Sequence, residues 1–398
     1  MKIQVHQSMV AGAVVGTGGA RGPVASAVAT GDGPSPAAID TRLREERGFT
    51  LIELMAAMIV ALVIVGAGFT ALTTSDKAAR MNDLVAETQQ NVRIAMELLS
   101  RDVKTSGFGM MSGAVGTCAN AINPQDNTPG GADTGPDAVA LVVPLTSIVA
   151  PVWTLSAQVV GGPATNTITL QAGAVAAMTT AGLAVNSTVS LAGAASGTVA
   201  GVAGNVITLV NPIPAPTVFP VDTQVYLLQC ITYAIGTAIP PCTGTATCLL
   251  RGVRNAAGFA NINTDPNMVA IADGIEDIQF AYACDGCVAA VNGGVADLLP
   301  DDQNGSNTFD TADFISNSAW GTAPLVPATI RLVQISIVAR QLRNDQGLGE
   351  GRSTAVNAGP VVVGDHNPTN DAGFNLATYQ QIRRRILTRT VDARNLGL

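Results

Sequence analysis

The six cysteines are the residues of this chain with the most evident chemistry. An even set is expected when cysteines pair in an oxidising compartment. They are Cys118, Cys230, Cys242, Cys248, Cys284 and Cys287. Six cysteines allow about 15 pairings. We expect the two close pairs, 242 with 248 and 284 with 287, to staple loops, which leaves 118 to pair with 230.

One close pair, Cys284-Asp-Gly-Cys287, also has the spacing of thiol oxidoreductases and of half a zinc site. Redox pairs of this spacing open a helix, which lowers the thiol pKa, whereas this pair follows a strand-like run and leads into a Gly-rich loop. No second pair at this spacing and no pair of histidines completes a zinc site. A structural disulfide is therefore favoured, and a membrane-tethered oxidoreductase is the weakest alternative.

Oxygen ligands crowd the segment 301–313 around a glycine, which is a composition suited to Ca2+. The segment lacks the full EF-hand pattern, so a polar turn is the favoured interpretation and a calcium site is the alternative. The candidate ligands are Asp301, Asp302, Asn304, Asp310 and Asp313. We expect no other cofactor.

Composition argues against several other functions. The formal net charge is -8, whereas binding to nucleic acid requires clustered Lys and Arg, so we predict no nucleic-acid partner. Arg383, Arg384 and Arg385 form a basic run, but no aromatic platform accompanies them, and we interpret the run as a solvated strand face. The chain contains no Gly-rich phosphate loop, nucleophile elbow or acid–base pair, so we expect no enzyme activity.

The elements that position these residues begin with a long apolar run. Phe49 to Leu72 carries a single charge, Glu53, and is long enough to cross a hydrocarbon layer of roughly 30 Å as a helix. Three arginines precede this run: Arg42, Arg44 and Arg47. Positively charged residues keep the end of a membrane span that carries them in the cytoplasm. We therefore expect one membrane span with the rest of the chain exported.

Gly48 lies directly before the apolar run, whereas an ordinary secretory signal has its small-residue cleavage site after such a run. The stretch Arg47-Gly48-Phe49-Thr50-Leu51-Ile52-Glu53-Leu54 resembles the processing site of type IV prepilins and pseudopilins. The resemblance implies that a membrane aspartyl peptidase cuts between Gly48 and Phe49 and methylates the new N-terminal Phe49. The leader is longer than is usual in that family.

Glu53 needs a physical explanation, because a carboxylate at the bilayer centre costs about 2.5 to 3.5 kcal/mol. The resemblance implies that Glu53, the fifth residue of the mature chain, meets the positively charged N-terminus of a neighbouring subunit. Two buried charges can satisfy one another once the helices bundle. The alternative is a Glu that sits at the membrane interface without a partner.

The helix is expected to continue to about residue 105, because apolar residues recur largely at three- and four-residue spacing. They are Met81, Leu84, Val85, Val92, Met96, Leu99 and Val103. An unbroken helix would be about 80 Å long at about 1.5 Å per residue and would end at Gly107 and Gly109. Residues 89–109 resemble the same segment of PilW-type minor pilins and, less closely, of GspJ-type pseudopilins of type II secretion.

Short β-branched runs between turn residues predict a β-rich head. The expected strands are 138–143, 165–170, 188–191, 206–210, 225–235, 273–282, 330–339 and 379–395. The last three also resemble PilW-type pilins in their residues and their order along the chain. Between Asp137 and Asp222 the chain has no Asp, Glu, Lys, Arg or His, so this insertion lacks the charged edges that protect most sheets. We favour a low-charge exported subdomain over a surface that packs on other subunits.

The sequence therefore predicts an α+β protein with a long N-terminal helix packed on a β-rich head. The expected parts are a leader, 1–48; a helix, 49–106, with its membrane segment at 49–72 and its amphipathic segment at 73–106; and a head, 107–398, with the insertion at about 138–221.

The resemblance implies a PilW-like minor pilin that is processed, assembled into a type IV pilus and helps to initiate it. The implied partners are other major and minor pilins and prepilin peptidase. The chain would lie in the inner membrane, with its head outside the cytoplasm, before it reaches the pilus at the cell surface. The alternatives are a type II secretion pseudopilin and an adhesin that uses the pilin helix as its mount and the insertion as its binding surface.

Overall fold

A computed structural model describes residues 49–393 except 112, 238, 240, 241, 243–246, 254–261, 288–296 and 343–358. The chain divides into two compact units, with the boundary after Ile64. The described part of the first unit is residues 49–64, which are almost wholly helical. The second unit contains the rest of the helix and the β-rich head.

The first helix, α1, runs without a break over Leu51–Thr105, as predicted. Its buried residues are Thr88, Val92, Ala95, Met96, Leu99, Ser100, Asp102 and Val103. Their three- and four-residue spacing places them on one face. The chain then turns at Gly107, whose φ of +78° favours glycine. The Gly107 N–H donates to the Val142 carbonyl at 2.9 Å, which fixes the helix end to the head.

In the described part of the chain, strands and two further short α-helices follow α1. The first group is β1 (Ile122–Gln125), β2 (Ala138–Leu145), β3 (Val159–Val160), β4 (Thr167–Thr169), α2 (Ala174–Thr180), β5 (Thr188–Leu191), β6 (Ala195–Ala203), β7 (Val206–Leu209) and β8 (Val218–Phe219). The second group is β9 (Val225–Gly236), β10 (Cys248–Val253), β11 (Met268–Asp273), β12 (Ile275–Cys284), β13 (Ile330–Arg340), α3 (Leu376–Tyr379) and β14 (Arg384–Asp392).

The large antiparallel sheet is organised around β9. One edge of β9 pairs with β2, which in turn pairs with β1. The other edge divides, because its first residues pair with β5 and its later residues pair with β10. From β5 the sheet continues through β6, β7 and β4, and from β10 it continues to β11. A separate three-stranded sheet has the order β12-β13-β14, and β3 pairs with β8.

The main core lies between α1, the large sheet and the three-stranded sheet. The helix contributes Leu99 and its neighbours on the buried face, and β12 and β13 contribute residues such as Phe280 and Ile335. Strand β2 is buried on both faces. Its Leu141 side packs in the main core, while its Val142 side packs against the disulfide-bonded cysteines. Burial on two faces explains why β2 reads as a continuous apolar run rather than an alternating one.

A satellite core fills the low-charge insertion. Its buried residues run from Trp153 to Phe219 and include the first two inward residues of β9, Val225 and Leu227. Helix α2 and strands β4 to β7 surround it. Strand β2, at the start of the expected insertion, belongs instead to the main core.

Most expected strands are present, and two expectations were wrong in part. Residues 273–282 do not form one strand, because Gly274, with a φ of +69°, separates β11 from β12. The final strand begins at Arg384, because Asn375 caps the short helix α3 by accepting from the Thr378 N–H at 3.1 Å. Residue 395 lies outside the described residues.

The interpretation of residues 383–385 as a solvated strand face was wrong for the middle arginine. The Arg384 side chain is 3% exposed and pairs with the Glu276 carboxylate, with Nη2 2.8 Å from Oε1. Its guanidinium lies 3.3 Å from the centre of the Tyr379 ring. A planar cation on an aromatic face favours burial of this arginine. Arg383 and Arg385 are exposed.

Candidate functional site

A capping box closes the N-terminal end of α1. The Thr50 N–H donates to Glu53 Oε2 at 3.0 Å, and the Glu53 N–H donates to Thr50 Oγ1 at 3.3 Å. This reciprocal pair satisfies N–H groups that the first turn of a helix leaves unpaired. Phe49 and Glu53 are exposed. Gly48 lies outside the described residues, so cleavage there and methylation of Phe49 remain predictions.

The beginning of α1 is long and apolar enough to cross a membrane. None of its most apolar 18-residue window is buried. Leu51 is 80% exposed and Phe69 is 68% exposed. The core helix of a soluble protein would bury such a window, so exposure of this much apolar surface fits a membrane or an assembly of helices.

The six cysteines form three disulfides in the pairs expected from the sequence. Cys118 pairs with Cys230 on β9, Cys242 pairs with Cys248, and Cys284 pairs with Cys287. All six are buried and none is a free thiol. Cys284 ends a strand, and residues 285–287 are not helical, so the described residues of this pair lack the helix N-terminus that activates redox pairs of this spacing.

Among the described residues, one group of His, Cys, Asp or Glu side chains brings three ligand atoms within 4.8 Å of one another. It consists of Cys242, Cys248 and Asp273. The two sulfur atoms are bonded to each other, whereas a metal binds the deprotonated thiolate. We therefore interpret this group as a disulfide beside a carboxylate.

The 301–313 loop is organised around the Asp313 carboxylate, which is fully buried. Its Oδ1 accepts from the N–H groups of Gln303 at 2.8 Å and Asn304 at 3.1 Å. Its Oδ2 accepts from the Asp310 N–H at 2.6 Å. Desolvation opposes ionisation, but these three donors together hold the pKa of Asp313 below its ordinary value.

Other carboxylates of this loop also accept from backbone N–H groups. Asp302 Oδ1 accepts from the Gly305 N–H at 2.7 Å, and Asp310 Oδ1 accepts at 2.7 Å from the N–H two residues further on. Asp301 Oδ2 accepts from the Cys287 N–H at 3.0 Å. These contacts are those of the polar turn favoured from the sequence. Calcium binding by this loop remains an untested alternative.

A second acidic cluster, which we call the acidic corner, joins three parts of the head. It lies where the loop between β1 and β2, strand β12 and the segment 359–371 meet. Its carboxylates are Asp126, Asp133, Asp137, Asp277 and Asp365. Burial, with a smaller contribution from neighbouring carboxylates, raises the pKa of Asp133 to about 6 and that of Asp137 to about 8.

His366 is a cation within the acidic corner. Its Nδ1 lies 2.8 Å from Asp277 Oδ2, and its Nε2 lies 2.8 Å from Asp371 Oδ1. Burial alone would lower the pKa of His366, but the hydrogen bonds and charges of the two carboxylates raise it to about 9. At neutral pH both ring N–H groups are therefore committed to these two carboxylates.

Two carboxylates of the acidic corner accept from backbone N–H groups. Asp126 accepts from Ser318 at 2.9 Å, and Asp137 accepts from Phe280 at 3.0 Å. These bonds tie the loop between β1 and β2 to the segment after residue 313 and to β12. They offset part of the cost of burying these two carboxyl groups.

Asp133 and Asp365 differ from the others. Both carboxylate oxygens of each residue are buried, and among the described residues none of the four has a hydrogen-bond partner. Asp133 is 0% exposed. The Thr134 N–H and the Ser316 hydroxyl lie nearby and favour the ionised forms, but neither reaches hydrogen-bond geometry.

Sequence reasoning missed the acidic corner. Asp133 lies in a stretch of Asn, Gly, Pro and Asp that reads as a polar turn, and Asp365 is more than half the chain away. No local spacing links the two residues, so only the folded chain brings them together.

Comparisons with known proteins agree with this architecture. Residues 43–69 match the family model described as the prokaryotic N-terminal methylation motif. Residues 242–395 match the model described as type IV pilus-assembly protein W, PilW. A methylation motif at the start of an exposed apolar helix that continues into a β-rich, disulfide-bonded head defines a type IV pilin. Within that class, the two matches support a minor pilin similar to PilW.

A curated relative agrees over a shorter region. The chain is 31% identical over 62 residues to the pilin-like protein PilA3 of Thermus thermophilus. The match spans 16% of this chain and 27% of the length of that relative. No solved structure matches the chain significantly.

Proposed function

We propose that this chain is cut between Gly48 and Phe49 by prepilin peptidase, is methylated at Phe49, and is assembled through α1 into a type IV pilus. The observation that carries the proposal is the methylation motif at 43–69, placed on a helix whose apolar window is wholly unburied. The inner membrane holds the chain before assembly, with the head outside the cytoplasm.

The proposed mechanism is assembly rather than catalysis. In the membrane, lipid covers the apolar side chains at the start of α1. In the filament, neighbouring helices replace the lipid, and the Glu53 carboxylate gains the cationic N-terminus of another subunit as its partner. The partners are therefore other pilins, and the charge pair favours one register between adjacent helices.

A role in the pilus is favoured over a role in type II secretion. The matched model over 242–395 is that of a pilus-assembly protein, and it covers β10 to β14 of the head. We infer that the chain helps to initiate or support the pilus. A strain without the chain is expected to lose surface pili and to keep type II secretion.

The testing experiment is mass spectrometry of the mature N-terminus of the chain in filaments sheared from the native host. We expect a first peptide that begins with N-methylated Phe49. An uncut chain that stays in the membrane fraction beside correctly processed pilins would overturn the proposal.

A pair of matched variants links processing to the Gly48 site. Gly48→Val places a β-branched side chain at the scissile bond and is expected to leave the chain uncut. Gly66→Val is the control, because it makes the same change within the membrane run where an added Cβ would contact nothing within 4 Å. We expect normal cleavage of that control, and equal cleavage of both variants would exclude the proposed site.

A further inference from the structure

Asp133 and Asp365 place four buried carboxylate oxygens in the acidic corner, and none of the four has a hydrogen-bond partner among the described residues. An ionised carboxylate that is removed from water and left unpaired costs several kcal/mol. Folded proteins avoid this cost by protonating the group, by pairing it or by binding a cation. His366, the cation beside them, is committed to Asp277 and Asp371.

Backbone contacts hold together the two segments that carry these carboxylates. Asp133 forms a parallel β-bridge with His366, the residue after Asp365. The Asn370 side chain donates to the Asp133 carbonyl at 3.1 Å, which holds the same two segments together on the other side of that bridge. The charge of Asp365 also raises the pKa of Asp133, as expected for neighbouring carboxylates.

A neutral oxygen lies close to the two segments that carry these carboxylates. Gln279 Nε2 donates to the Gly135 carbonyl at 3.2 Å and to Asp277 Oδ1 at 2.9 Å, which fixes the orientation of the amide. Gln279 Oε1 is buried and has no partner among the described residues. It lies 3.6 Å from the position that a Cβ at Gly364 would occupy, directly beside Asp365.

We propose that Asp133 and Asp365 bind a divalent cation of the calcium type, with Gln279 Oε1 as a neutral ligand. The donors are hard oxygens from two carboxylates and an amide, which is the chemistry that Ca2+ prefers. Zinc and copper are disfavoured, because the site contains no sulfur and both nitrogens of His366 are occupied. This site is separate from the 301–313 loop, and it does not depend on the proposed role in the pilus.

The bound ion would connect three segments that are distant in sequence. Asp133 belongs to the loop between β1 and β2, Gln279 belongs to β12, and Asp365 belongs to the segment before α3. A cation shared by these residues would stabilise the head outside the cytoplasm. Extracellular modules bind Ca2+ with a Kd of about 10⁻⁴ to 10⁻³ M.

The test is thermal unfolding of the full chain, purified in detergent, followed by circular dichroism at pH 7. We compare EGTA, 10 mM CaCl2 and 10 mM MgCl2. We expect Ca2+ to raise the Tm by about 5 °C relative to EGTA. We expect a smaller effect of Mg2+, which requires octahedral geometry and loses its water reluctantly. A wild-type chain whose Tm is the same in EGTA and CaCl2 would overturn the proposal.

Neutral variants locate the ion. Asp133→Asn and Asp365→Asn keep the shape of the side chain but remove its charge, so we expect each to lose the Ca2+-dependent shift. In EGTA their Tm should equal or exceed that of the wild type, because a buried charge has been removed, and this result shows that they fold. Equilibrium dialysis with radioactive Ca2+ checks binding directly, and a wild-type level of bound Ca2+ in both variants would overturn the proposal.

Asp310→Asn is the matched control in the 301–313 loop, where the side chain accepts a backbone hydrogen bond. We expect this variant to keep the full Ca2+-dependent shift. If Asp310→Asn loses the shift while Asp133→Asn keeps it, calcium binds in the 301–313 loop and the proposed site is wrong.

Discussion

At the scale of single residues, Glu53 has two roles that substitution can separate. In the isolated chain its carboxylate completes a capping box with Thr50. In the proposed filament it also neutralises the N-terminus of a neighbour. Gln can complete a capping box as Glu does, but it carries no charge. A hydroxyl at position 50 contributes to the cap and has no role in the charge pair.

We predict that Glu53→Gln is cleaved normally but enters filaments at least about tenfold less than the wild type. The reason is that a buried cationic N-terminus left without its partner costs about 3 to 5 kcal/mol. Thr50→Ala is the control, which weakens the cap and keeps the charge, and it should enter filaments almost normally. Quantitative mass spectrometry of sheared filaments measures both. Equal incorporation of both variants would show that the cap, not the charge, is what assembly requires.

Asp102 shows how a single charge fixes the helix to the sheet. Its Oδ2 accepts from the Tyr233 hydroxyl at 2.5 Å and from Arg251 Nε at 2.9 Å. The carboxylate is buried on α1, while its partners lie on β9 and β10. The three side chains therefore connect α1 to neighbouring strands of the large sheet within the main core.

We predict that Asp102→Ala lowers the free energy of unfolding by about 2 kcal/mol, because it leaves a buried tyrosine hydroxyl and an arginine without their acceptor. The value is below that of a fully buried pair, since 34% of the Arg251 side chain is exposed. Glu97→Ala, which removes an exposed pair with Arg389, should change stability by less than about 0.5 kcal/mol. Urea unfolding of the full chain in detergent compares the two, and equal losses would contradict the assigned role of Asp102.

At the scale of elements, the sequence predicted the helices and strands whose apolar side chains recur at a regular spacing. The buried stripe of α1 and the β-branched residues of β5, β9 and β13 predicted their elements almost to the residue. Strand β6 was missed, because its Ala and Gly residues carry little β signal. Helix α2 was missed, because seven residues are too few for a helical period. Asn375 caps α3, and the turn at Gly274 separates β11 from β12. The spacing of apolar residues does not predict such caps and turns.

The contribution of each disulfide to stability depends on the length of the loop that it closes. Cys118 and Cys230 are 112 residues apart in sequence, whereas Cys284 and Cys287 are 3 apart. In the chain-entropy model, the long loop stabilises the fold by about 4.8 kcal/mol and the short loop by about 1.6 kcal/mol.

We predict that replacing both Cys118 and Cys230 by Ala lowers the Tm several degrees more than replacing both Cys284 and Cys287 by Ala. The reason is that the first pair removes far more entropy from the unfolded chain. Thermal unfolding of the two double variants, without reductant, measures the difference. A larger loss for the short pair would mean that its local packing, rather than loop closure, determines its contribution.

At the scale of the whole molecule, the general plan was readable from the sequence and the acidic corner was not. A membrane run and a cleavage motif are contiguous patterns, so a single stretch of residues contains them. Asp133, Gln279 and Asp365 come from three segments, and each is unremarkable among its neighbours in sequence. A site of this kind depends on tertiary contacts, such as the β-bridge between Asp133 and His366, that no local pattern specifies.

The satellite core of the head can be removed without cutting the main core. Leu145 at the end of β2 pairs with Leu227 near the start of β9, so these two strands already form the arms of a hairpin. A short Asn-Gly turn can therefore replace residues 147–225 and join the arms directly. The main core and the Cys118–Cys230 disulfide lie outside the deleted part.

We predict that this shortened chain still forms its disulfides and still supports pili, because α1 and the main core are unchanged. Electron microscopy of a complemented deletion strain counts the pili, and adhesion to surfaces is measured on the same cells. Normal pili with lost adhesion would assign binding to the satellite core. Lost pili with a folded, disulfide-bonded chain would instead mean that the low-charge surface of the satellite core packs against other subunits during assembly, contrary to the prediction.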